Sequence, residues 1–366
     1  MWKLPTLNSL ILLFTLSAIG AEAPPPPTKA IVGAIRWDAW FGELGVPGKA
    51  VEKSLGPKKW HYRLPFFAKE ISDTQVEIRG NTQEIMDREI AYAKAGGLDY
   101  WAFCTYAEDS PMSMGLKLYL SSTHKADIHF CLNLQGGHIG AGGPAAWPKQ
   151  IERYVGYFKE PSYQKVAGRR PLVYLFMADQ MIGKNKFSNW ESAKAAIDAL
   201  KKETIAAGLA SPYLVIQTFN PNAGKQELEK LGFDALSAYA VAGGGDQEPY
   251  EKLMKQAHNF WEACRGTGKS VIPIVSAGWD RRPRVENPVP WEGGPGNAAS
   301  YVTPKPDELA AHLKDAIDWI RQHPESTPSN AILMYAWNEN DEGGWLTPTL
   351  FDGSARLDDL GKLLKP

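Results

Sequence analysis

Eight short apolar runs, separated by longer amphipathic stretches all the way from Ile31 to Leu364, restrict this chain to very few architectures. The runs are Ala30 to Ile35, Leu98 to Cys104, Ile128 to Leu134, Leu172 to Met177, Tyr213 to Thr218, Ala235 to Ala238, Val271 to Ser276 and Ile332 to Trp337. Strands that alternate with helices predict an α/β fold with a parallel sheet. Eight is the number that closes a (β/α)8 TIM barrel, a fold of about 250 residues that grows by loop insertion. The 366 residues therefore fit a single domain over 30–366 with elaborated βα loops.

Helices are expected at Thr82 to Ala95, Met114 to His124, Pro148 to Lys159, Trp190 to Ala207, Lys225 to Leu231, Tyr250 to Cys264 and Pro306 to Gln322. The last has apolar residues at three-to-four spacing (Leu309, Leu313, Ile317, Ile320), as a helix packed on a barrel requires. Gly-rich stretches at Gly136 to Gly143, Gly243 to Gly245 and Gly293 to Gly296 follow strands, where barrel enzymes keep their chemistry. None has phosphate-cradling spacing, so no nucleotide cofactor is expected.

The first 23 residues read as an export signal: Lys3, an apolar stretch from Leu10 to Ile19, then the small-x-small site Ala21-Glu22-Ala23. The apolar stretch is shorter than the roughly 20 residues a bilayer span needs. Residues 24–29 form a Pro-rich linker, and the mature chain is expected in the periplasm or outside the cell, with no stable membrane insertion. Three cysteines without a CxxC pair argue against a disulfide framework and a thiolate zinc site. With seven His and neither HxH nor HExxH, no metal is expected. Forty basic against forty-one acidic residues, without like-charge blocks, make nucleic acid an unlikely partner. Thirteen Trp, fourteen Tyr and thirteen Phe supply the flat apolar faces that suit sugar rings.

A barrel's active site forms at the C-terminal ends of its strands. The polar and aromatic residues collected there are Trp37, Asp38 and Trp40 after the first run, Tyr106 and Glu108 after the second, His138 after the third and Asp179 after the fourth. Asn220, Tyr239, Trp279, Asp280, Arg281 and Arg282 follow the later runs, and Trp337, Asn338, Glu339, Glu342 and Trp345 close the set. Glu339 and Glu342 form the sharpest feature, two carboxylates three residues apart where a buried strand ends. Glycosidic cleavage uses such a pair with pKa values pushed apart. Asn340-Asp341 and Gly343-Gly344 suggest a turn that brings Glu342 over the barrel mouth, between Trp337 and Trp345 as sugar clamps. A solvated acidic loop is the alternative.

The Asn-Glu-x-x-Glu-Gly arrangement of Asn338, Glu339, Glu342 and Gly343 resembles the catalytic loop of glycoside hydrolase family 99, endo-acting α-mannosidases on a (β/α)8 barrel, and of family 99-like bacterial proteins tied to polysaccharide synthesis. Asp87 to Ala93, Gly97 to Phe103, Pro273 and Gly278 to Arg284 agree with the family 99-like branch, although Asn340 stands where the family usually has Trp. The resemblance implies that Glu339 is the base assisting the substrate's 2-hydroxyl and Glu342 the acid, with net retention.

The expectation is thus an exported glycosidase acting on a mannose-containing or related polysaccharide. Arg281 or Arg282 facing the site would favour an anionic one, through bidentate contacts. A glycosyltransferase-like protein of surface polysaccharide assembly and a non-catalytic carbohydrate-binding barrel remain as alternatives.

Overall fold

The computed structural model describes Met1 and residues 29–41, 45–292 and 299–365. The export signal, most of the Pro-rich linker and Gly293 to Gly296 lie outside the described residues.

All eight apolar runs form parallel strands: β1 Ile31–Arg36, β2 Tyr100–Thr105, β3 His129–Gln135, β4 Arg170–Phe176, β5 Tyr213–Gln217, β6 Ala235–Ser237, β7 in two parts, Ser270–Val271 and Ile274–Ser276, and β8 Ala331–Tyr335. Such runs are mostly apolar because barrel strands are covered by helices outside and packed side chains inside; β2 is buried at every position. Strands β1 to β6 pair in sequence order, and β1 also pairs with β8.

The ring closes through β7. Ser270 and Val271 pair with Ala235 and Leu236 of β6, whereas Ile274 to Ser276 pair with Leu333 to Tyr335 of β8. The change of partner falls at Pro273, which has no N–H to give a ladder; its carbonyl accepts from the Leu333 N–H at 3.0 Å. Inside the barrel the Tyr100 and Tyr174 hydroxyls meet at 2.8 Å. Gly33 makes room for this pair, since a Cβ there would stand 2.3 Å from the Tyr100 ring.

Among the described residues the longer helices that follow the strands are α1 Gln83–Ala95, α2 Met114–Ser121, α3 Gly143–Phe158, α4 Trp190–Ala206, α5 Pro221–Leu231, α6 Tyr250–Gly266, α7 Pro306–Gln322 and α8 Ala355–Leu364. Thr82 caps α1 by accepting from the Ile85 N–H. Helix α3 starts before its expected first residue and carries Pro148 inside it. The long excursion between β1 and α1 holds elements the sequence pattern did not indicate, the helix Val46–Leu55 and the hairpin of Lys69–Ser72 with Gln75–Glu77. Among the described residues no helix is long and apolar enough to cross a membrane.

Candidate active site

Past β8 the chain makes a tiny hairpin, Asn338–Glu339 against Gly344–Trp345, joined by a 3-10 turn over Asn340–Glu342. The turn puts both glutamates on the barrel mouth. Gly343 allows it, with φ 85° and no room for a side chain, because a Cβ would lie 2.4 Å from the Asp280 N. The Asp280 N–H in turn donates to the Glu342 carbonyl at 2.7 Å, tying the β7 loop to the β8 loop.

The two carboxyls sit in unlike surroundings. Tyr239 donates its hydroxyl to Glu339 Oε1 at 2.5 Å, and Arg284 Nη2 approaches Oε2 at 3.5 Å. Glu342 accepts from the Tyr335 hydroxyl and from Arg284 Nη1, with Arg281 Nε at 3.2 Å. Arg284 also binds both oxygens of the buried Asp341, at 2.7 and 3.0 Å, and reaches Glu292 at 3.1 Å. Its guanidinium lies 5.4 Å from the Trp37 ring centre and 5.6 Å from that of Trp291. Four carboxyls thus face two guanidinium groups, Arg284 and Arg281, the latter also paired with Glu292. Burial, then the charge of Glu342, push Glu339 up to about 8 against the opposing pull of Arg284 and Tyr239.

A second charged network lies beneath. Arg36 is fully buried under Phe41 and Trp101 and binds Asp38 and Glu89, each at 2.8 Å. Glu89 also accepts from the Trp337 indole at 2.8 Å. Asp38 receives the Asn338 amide at 3.2 Å, while Asn338 Oδ1 accepts from the Trp37 N–H at 2.8 Å. Burial raises Asp38 to about 6, the Arg36 charge opposing it. These contacts hold the start of the Glu339 loop from below.

Comparison with solved structures finds the same architecture. A family 99 endo-α-mannosidase from Bacteroides thetaiotaomicron, in complex with Bis-Tris propane, matches with a TM-score of 0.58 at 15% identity, over 91% of this chain and 95% of that one. The likeness is one of fold. A second structure of the B. thetaiotaomicron enzyme gives the same TM-score at 14% identity, over 91% and 96%. No protein-family model and no curated protein matches the sequence.

Of the residues expected at the site, Trp37, Tyr239, Trp279, Arg281, Asn338, Glu339 and Glu342 gather here, with Trp279 5.6 Å from the Tyr335 ring. Tyr106 joins them by accepting from the Trp37 indole at 2.7 Å and packing on His138, itself exposed. Other expectations need correction. Trp337 and Trp345 are no sugar clamps: they are 0% and 1% exposed, Trp337 packed on Trp101 and Trp345 under Arg356. Trp40 is likewise core. Asp280 is spent internally. Burial pushes its carboxyl up, but hydrogen bonds from Arg282 and the charge of Arg63 outweigh that and hold it below the usual value. Arg282 is thereby occupied, and Arg281 is held by Glu292 and Glu342, so neither is free to read an anionic substituent. Asn220 caps α5, accepting from the Asn222 and Ala223 N–H groups at 3.0 and 3.1 Å. Glu108 and Asp179 are exposed rim residues.

Arg284, Asp341 and Tyr335 are central to the site but were not singled out. Tyr335 is the last residue of β8, one position inside the strand-end window, and Arg284 lies in a run whose three arginines cannot be ranked by type.

Proposed function

We propose that the protein is a glycoside hydrolase that cleaves a glycan with Glu339 and Glu342. The observation that carries this reading is the unequal setting of two buried carboxyls at the mouth of a (β/α)8 barrel: each accepts from a tyrosine hydroxyl, but Glu342 is paired with two arginines and Glu339 reaches only Arg284, at 3.5 Å. Glycosidic bonds break when one group donates a proton to the leaving oxygen while another, ionised, attacks or assists attack at the sugar carbon. A pair with separated pKa values supplies both at one pH.

Burial favours a proton on Glu339, whereas Arg281 and Arg284 both face Glu342. This is the reverse of the roles that the family resemblance implies. We take Glu339 as the proton donor and Glu342, held by the two arginines, as the group that attacks or assists attack at the sugar carbon. Retention and a mannose-containing polysaccharide outside the cytoplasm are carried by the resemblance and by the export-signal pattern of residues 1–23. With Arg281 and Arg282 already paired, the site favours a neutral glycan over an anionic one.

The test is release of reducing ends from mannans, α-glucans and sulfated or uronic polysaccharides, beside Glu339→Gln and Glu342→Gln. The expected result is hydrolysis of a neutral α-linked glycan that drops by several orders of magnitude in either variant. Unchanged rates in the variants would sink the carboxyl pair. Glycan binding without release across the panel would favour a binding barrel, and tight binding of a nucleotide sugar a transferase.

A further inference from the structure

A cleft of about 230 Å³ opens on the rim between the β4 and β5 loops, bordered by Phe176, Met177, Asp179, Gln217, Phe219 and Glu227. No residue of the Glu339 charge cluster lines it, but a continuous wall of rings joins the two. Tyr239, which holds Glu339, lies 4.7 Å from Phe176, and Phe176 lies 5.6 Å from Phe219, centroid to centroid. Each step is about the breadth of one sugar ring. The volume falls below the range of whole drug-sized sites and suits a single ring.

Three features set the cleft apart from the rest of the rim. Phe219 is 63% exposed. It stands just before the cap of α5, where an apolar residue normally packs on the fourth helical position; that position is Gly224, which offers it no side chain. Met177 holds the left-handed conformation, φ 54°, with its side chain exposed, and a strained non-glycine residue at a rim is a pointer to function. Gln217 is 2% exposed, yet its Oε1 has no hydrogen-bond partner, and an orphaned buried acceptor is uncommon enough to ask for a ligand.

We propose that this cleft is a subsite for one further saccharide unit of the glycan. The sugar's CH face lies on Phe219 and Met177, and its hydroxyls donate to the Asp179 and Glu227 carboxylates. The proposal rests on the hydrolase reading for its place in catalysis, and on the cleft alone for binding.

The test compares wild type with Phe219→Ala on α-linked manno-oligosaccharides of two to six units. Because Phe219 is on the surface, the variant folds. The ratio of kcat/KM for the longest to that for the shortest oligomer cleaved should fall about tenfold, the size of a lost aromatic contact. An unchanged ratio overturns the subsite and leaves the hydrolase standing. If wild type cleaves none of them, calorimetric titration with the hexamer decides. An affinity about tenfold weaker in the variant keeps the subsite while the hydrolase reading fails, whereas equal affinity, or no binding by either protein, overturns the subsite too.

Discussion

At the scale of single residues the chemistry turns on where one proton rests. Burial raises Glu339 to about 8 from its ordinary 4.5, so this group's contribution to stability should be lost as pH rises from about 4.5 to about 8. The slope is at most about 1.4 kcal/mol per pH unit for one proton. Asp38, raised to about 6 from 3.8, adds the same sign over a lower window. Glu339→Gln cannot release a proton, so its Tm should change less between pH 5 and pH 8 than that of wild type; parallel curves from scanning calorimetry would contradict the assignment. Arg284, 4% exposed, is the cation for Asp341, Glu342 and Glu339 together. Replacing it with Met leaves the buried Asp341 carboxylate without a counter-charge, which costs about 3–5 kcal/mol in such settings. Denaturant unfolding of Arg284→Met that matches wild type would show the cluster to be weakly coupled.

Elements explain what could be foreseen. The eight strands were readable because burial on both faces leaves few polar positions in the run; Val46–Leu55 and the Lys69–Ser72 hairpin were not, the latter exposed at all four positions of its first strand and so without an apolar signature. Glu339, Glu342, Tyr239 and Arg281 entered the candidate set because the loops of a barrel gather at strand ends, and the structure places the four side by side. Trp337 and Trp345 were misplaced for a geometric reason: the hairpin after β8 turns both rings inward, where Glu89 and Arg356 receive them, while its turn points outward. Asn220 was read as a ligand contact because a cap and a binding residue look alike in sequence. As a cap, Asn220→Ala should lower stability by about 1 kcal/mol, measured by urea unfolding. No loss would return it to the list of ligand contacts.

For the whole molecule, the first expectation concerns processing. If residues 1–23 direct export, the protein recovered outside the cytoplasm should begin near Ala23 by amino-terminal sequencing; recovery of the chain with Met1 intact would remove that reading. The second concerns how the ring stays shut. Strand β7 grips β6 through only two residue pairs and β8 through three, whereas β2 and β3 share six. A closed cylinder has no free edge, yet this one has a join, and joins open first. Amide hydrogen exchange at Val271, Ile272 and Val275 should therefore outpace exchange at Ala102 and Leu132. Across that same join lie Asp280 and Arg284, following β7, and Glu342, following β8, linked by a backbone hydrogen bond and an ion pair. The charges that set the proton's position thus also act as the clasp of the cylinder, so the site and the closure of the fold should be lost together.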